Sequence, residues 1–111
     1  MEYLSVEEAR AKEGLRLVLT AGVPGPFGEA AKALFRHHNV GFFPVRQKGG
    51  QDNPELVAWT RHRNAPIALY NDEAPRVRWL EMLDLAERLG NGPTLFPRSI
   101  VERIAMIGLI N

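Results

Sequence analysis

Few side chains in this sequence can do covalent chemistry. It contains no cysteine, which removes disulfides, thiolate metal sites and a protein thiol nucleophile together. Its cations are unevenly spread. Between Glu29 and Asp52 there is no acid, while Lys32, Arg36, Arg46 and Lys48 are present and His37 and His38 add a conditional charge. That imbalance suits an anionic ligand, with solvated surface charge as the commoner explanation. Arg61, His62 and Arg63 form a second basic group, which could equally complement the dipole at a helix C-terminus. His37 and His38 make a poor metal pair, because adjacent helical residues point to different faces and no third ligand follows at suitable spacing. Thr20 offers a hydroxyl, either catalytic or simply a satisfied strand residue.

These groups must be carried by a small domain. The chain has 111 residues, 45% of them apolar, enough for one compact unit with its own core. A net charge of +1 argues against a general nucleic-acid or membrane-surface binder, and aromatic residues are not interleaved with the charges of the 32–48 stretch in a recognisable motif. The first fourteen residues include Glu7, Glu8, Arg10, Lys12 and Glu13, unlike the apolar core of a signal peptide, so a cytosolic (cytoplasmic) location is expected. The longest uncharged apolar stretch, Ile104 to Ile110, is far short of the ~20 residues that span a bilayer.

Ser5 and Glu8 have capping-box spacing, which predicts a short helix running to Gly14 as a polar lead-in. Leu15, Leu17 and Leu19 alternate with Arg16, Val18 and Thr20, the period of a strand with one strongly apolar face. After the break at residues 22–26, Phe27, Ala30, Ala31, Leu34, Phe35 and His38 keep helical spacing from a start at Pro26. Gly41 to Gln47 reads as a second strand, placed at a sheet edge because Pro44 cannot donate to a ladder. Asn53 and Pro54 supply an N-cap and first-turn proline for a short helix with Leu56, Val57, Trp59 and Thr60. Pro66 to Tyr70 predicts a third strand, turned by Asn71 and Asp72 into a brief fourth around Arg76 and Val77. From Trp79 the apolar positions 79, 82, 83, 86 and 89 predict a helix ended by Gly90 as the αL residue.

Residues 90–97 have the composition of a linker, and a new helix is expected near Arg98 or Ser99. Its residues Ile100, Val101, Ile104, Ala105, Met106, Ile107, Leu109 and Ile110 cover most of the helix circumference, as in a helix buried among others. The expectation is therefore a front portion of a longer protein, with packing in another chain or a frayed terminus as alternatives.

The order β-α-β-α-β-β-α resembles the thioredoxin fold as it occurs in glutathione transferases, an α/β class with the start of an all-helical C-terminal domain. Gly25-Pro26-Phe27-Gly28-Glu29 stands where this family and its glutaredoxin relatives have Cys-Pro-Phe/Tyr or Ser-Pro-Phe. Asn64-Ala65-Pro66-Ile67 is similar to the family's Val-Pro-x-Leu, whose proline is cis. Glu29, Ala30 and Lys32 look like the opening of that helix in the omega-type branch, and Pro93-Thr94-Leu95-Phe96-Pro97 is similar to the interdomain linker. The likeness is to a bacterial-type branch in which the thiol-activating residue is replaced by Gly25. It implies an extension at 1–14, a thioredoxin-like glutathione-binding domain at 15–89, a linker at 90–97 and a truncated first helix of the C-terminal domain at 98–111.

The resemblance further implies glutathione as cosubstrate without a metal, a small electrophile as second substrate, and a homodimer. The thiol would lie at the start of the first long helix, facing Gly25 and the N–H groups of Phe27 and Gly28, where unpaired donors and the helix dipole stabilise a thiolate. Ala65, before Pro66, would offer its backbone to the cysteinyl part as an added strand does. Gln47 or Lys48 would stand where the family contacts the glycyl carboxylate. The family's Glu-Ser pair for the γ-glutamyl group falls on Arg78 and Trp79. Arginine can pair a carboxylate, whereas tryptophan cannot accept from an ammonium group. Because Gly25 has no functional group, the alternative is a non-catalytic thioredoxin-fold binding or scaffold module.

Overall fold

The computed structural model describes residues 2–22 and 25–90. Gly90 apart, the linker expected over 90–97 and the helix expected over 98–111 lie outside the described residues. Strand β1 (Leu15–Thr20) is buried from Leu15 through Leu19, so the expectation of a single apolar face is corrected. Leu15, Leu17 and Leu19 pack with Ala31, Leu34 and Phe35 of α2 (Pro26–His37) and with Met82, Leu83, Leu85 and Ala86 of α4 (Trp79–Leu89). Val18 belongs to a second cluster with Ala9 of α1 (Val6–Arg10), Val45 of β2 (Phe43–Gln47), Leu56 of α3 (Pro54–Thr60), and Ile67 and Leu69 of β3 (Ile67–Tyr70). The sheet order is β2-β1-β3, with β2 parallel and β3 antiparallel to the central strand.

Burial on both faces leaves Arg16 inside the protein, 3% exposed. Among the described residues, no carboxylate is one of the groups it bonds. Its guanidinium donates to Leu69 O at 3.4 Å and Ala9 O at 3.3 Å, and also to Lys12 O and Asn71 O. The carbonyls of Ala9 and Lys12 lie at and just past the end of α1, where the dipole is negative. Trp59 presents its ring 5.4 Å from the guanidinium carbon, within cation–π range. Burial pushes the Arg16 pKa below its usual value, yet the five-donor fork is suited to several carbonyls at once.

The lead-in is consequently packed against the second cluster. Ser5 and Glu8 make the capping box in both directions, at 3.1 and 3.0 Å. Leu4, just before the cap, and Ala9, four helical positions on, share the second cluster as a hydrophobic staple does. The helix stops at Arg10 rather than Gly14, because Ala11 and Lys12 turn their N–H groups back to Glu8 O and Ala9 O in a tight last turn. Leu4 exchanges backbone bonds with Pro44 O and Arg46 N–H along the outer edge of β2. Pro44 therefore has its missing donor on the outer side, away from β1, as an edge proline should.

Three further expectations are corrected. The fourth strand contracts to a single antiparallel bridge, Ala68 with Arg76, made by two 2.9 Å bonds. Extending it would pair Arg78 with Pro66, which has no N–H, and Tyr70 with Ala74, but Tyr70 O already accepts from Glu73. Asn53 makes no side-chain cap on α3; its amide instead ties Lys48 N–H, Lys48 O and Gln51 O. Gly90 is extended rather than αL, with φ −96°. Glycine is required there by close approach, since a Cβ would sit 2.3 Å from His38 O. Strand starts also move inward, to Phe43 in β2 and Ile67 in β3.

Arg16→Met should cost about 3 kcal/mol in urea unfolding, and Arg16→Lys should recover only part of it, because an ammonium cannot span the same carbonyls. Gly90→Ala should cost about 1–3 kcal/mol through the clash with His38. Arg88 and Arg76, each 2.8 Å from Glu73 Oε1, hold the Glu73 carboxyl below its usual 4.5. A depressed folded value stabilises above the unfolded pKa and is lost as pH falls through the folded one. Thermal melts of wild type and Glu73→Gln should therefore differ at neutral pH and converge as the pH falls below 4.5.

Candidate functional site

Helix α2 begins without a side-chain cap. Gly25 is its extended N-cap residue and Pro26 occupies the first turn, where its lack of an N–H is harmless. The first bond inside the helix runs from Glu29 N–H to Gly25 O at 2.9 Å. The N–H groups of Phe27 and Gly28 precede it and are left by helical geometry without an intrahelical acceptor. Twelve aligned residues put the positive end of the dipole at the same point.

A cleft of about 440 Å³ opens there, lined by Gly25, Pro26, Phe27 and Gly28 together with Leu19 and Thr20 from the end of β1, Gly22, Ala65 and Tyr3. Glu29 and Lys32 complete it and pair with each other at 2.6 Å, so Lys32 brings little net charge. Phe27 is 77% exposed and forms an apolar lip. The Ala65–Pro66 peptide bond is cis. A Cβ on Gly25 would meet nothing within 4 Å, and one on Gly28 would meet only Leu19 Cδ2 at 3.5 Å. Packing therefore does not demand glycine at either position.

Thr20 lines the cleft, but its hydroxyl donates to Gln47 Oε1 at 2.7 Å. Gln47 is buried and gives its amide N–H to Arg63 O at 2.8 Å. The pair links the ends of β1 and β2 to the segment that leads into Ala65. Lys48 stands apart, exposed, in a second groove of about 350 Å³ with Arg46, Asn53 and Glu55. Arg36 lies over Phe42. The 32–48 stretch is thus divided rather than gathered into one patch. Arg78 and Trp79 stand at the start of α4 and do not line the cleft; the Arg78 N–H donates to Glu81 Oε1 at 3.1 Å, and Trp79 packs on the main core. Arg61 closes α3 with φ 66°, and Arg63 approaches Asp52 at 3.8 Å. Among the described residues no cluster of three His, Cys, Asp or Glu could hold a metal, and no helix is long and apolar enough to cross a membrane.

Sequence reasoning passed over Tyr3 and the Glu29–Lys32 pair. Tyr3 could have been flagged by the apolar Tyr3-Leu4 pair ahead of the capping box, the pattern of a segment that docks.

No family model and no curated protein sequence matches the chain. Among solved structures it is similar to rice GST1 (OsGSTU1), crystallised in complex with glutathione, at 22% identity and a TM-score of 0.59. The match covers 89% of this chain and 43% of the rice chain. It shows the fold: an α/β, thioredoxin-like domain of the kind found in a glutathione transferase.

Gln47→Ala should leave the Thr20 hydroxyl and Arg63 O without their partner and cost about 2 kcal/mol in urea unfolding. Lys48→Ala, at an exposed site, should change stability by less than about 0.5 kcal/mol.

Proposed function

We propose that this chain is a glutathione-binding domain of the glutathione transferase type, which holds the tripeptide's thiol at the start of α2 and presents it to small electrophiles. The observation that carries this reading is the cleft itself. It joins the N–H groups of Phe27 and Gly28, which lack an intrahelical acceptor, to Ala65, ahead of cis-Pro66. Its size lies within the range that holds small ligands. Glutathione would supply a sulfur nucleophile, and the chain would supply backbone donors and a dipole that favour the thiolate. Ala65 would pair with the peptide through its backbone, whereas Gln47, Lys48, Arg78 and Trp79 stand outside the cleft lining. Phe27 would give the electrophile an apolar wall. In the same reading residues 15–89 are the binding domain, residues 90–97 lead to a helical domain begun at 98–111, and the whole protein is a cytosolic homodimer.

Gly25 favours a second reading, a binding module without turnover, because no side chain stands where the family activates the thiol. The two separate cleanly. Titration of the 111-residue chain with glutathione should give a Kd of about millimolar or tighter; no heat and no competition by glutathione analogues would overturn both the transferase reading and its glutathione-binding core. Turnover of an aryl halide with glutathione supports the first reading, and binding without turnover supports the second. Gly25→Ser has room for its side chain, and its hydroxyl can hydrogen-bond a thiolate. It should raise conjugation by at least about tenfold and stabilise the domain by a few tenths of a kcal/mol, about what a serine cap adds over glycine.

A further inference from the structure

The cleft contains a polar side chain that the family resemblance does not reach, because that likeness begins at residue 15. Tyr3 enters from the N-terminal segment, which is held on the outer edge of β2 by the two Leu4 backbone bonds and at the far end of α1 by Arg16. Its ring packs on the main core, so the phenol is set in place rather than free to wander.

Among the described residues, the other hydrogen-bonding side chains of the cleft are already engaged. Thr20 gives its proton to Gln47, and Glu29 and Lys32 neutralise each other. The Tyr3 hydroxyl has no hydrogen-bond partner among the described residues, which leaves it as the uncommitted side-chain donor on the cleft wall. A phenol can donate one strong hydrogen bond to an anionic acceptor. We propose that Tyr3 is a ligand-binding residue of this cleft, donating its O–H to an anionic group of the bound thiol peptide, so that the N-terminal segment supplies a functional part of the site. This rests on the glutathione reading and adds a residue to it.

The test compares glutathione affinity of wild type and Tyr3→Phe, which keeps the ring and its packing and removes only the donor. The variant should bind about tenfold more weakly, the loss expected for one hydrogen bond to a charged group, with its melting temperature unchanged. Equal affinities would overturn the role of Tyr3 and leave the glutathione reading standing; no binding by wild type would overturn both. A second readout does not depend on the variant's folding. In the wild-type chain the Tyr3 ring signals in NMR should shift as glutathione is added and saturate with the calorimetric Kd, and unmoved signals under saturating ligand would contradict the proposal.

Discussion

A buried guanidinium held by main-chain carbonyls sets the terms for this fold. Arg16 sits in the middle strand of the sheet, and its charge is met by main-chain carbonyls from α1, the turn after it, the end of β3 and the following turn. An ionised group in that position is tolerable only while those acceptors stay in place. The charge thus ties the N-terminal segment and the middle strand to the end of β3 and its following turn, which are distant in sequence. Were the N-terminal segment to leave, Arg16 would lose two of its acceptors and β1 part of the cover over its Val18 face.

The consequences run along β1 to its other end. Leu19 and Thr20 lie at the mouth of the cleft, and the strand that Arg16 anchors is the one that aims them at the start of α2. Gln47 repeats the device on a smaller scale, tying Thr20 to Arg63 and so fixing the approach to Ala65. The backbone groups offered to a ligand are in this way held by side chains buried behind them. Such a frame suits a site that works through N–H groups and a helix dipole, whose value depends on fixed orientation.

Much of the framework was legible in the sequence because it depends on local signals. The capping box, the first-turn prolines at 26 and 54 and the apolar spacing of α4 all act within a few residues, and each element appears where its signal lies. Legibility failed where a distant segment decides the outcome. Alternation in β1 suggested one wet face, and nothing local could say that α1 and α3 would cover it. Gly90 carried the signature of an αL stop, but the backbone of His38, far away in sequence, is what excludes a side chain there. At the site, the run from Gly25 to Gly28 and the Ala65–Pro66 pair were visible as motifs. Tyr3 was not, because its place depends on how the N-terminal segment docks against β2.

Glutathione binding in the cleft between α2 and the Ala65–Pro66 bond is the proposal on which the function of this site stands. Amide NMR shifts mapped during a glutathione titration test it most directly. Binding there requires the largest changes at Thr20, Phe27, Gly28, Glu29 and Ala65, all saturating together. Changes centred on Arg46, Lys48 and Asn53 in the second groove, or none at saturating ligand, would contradict it.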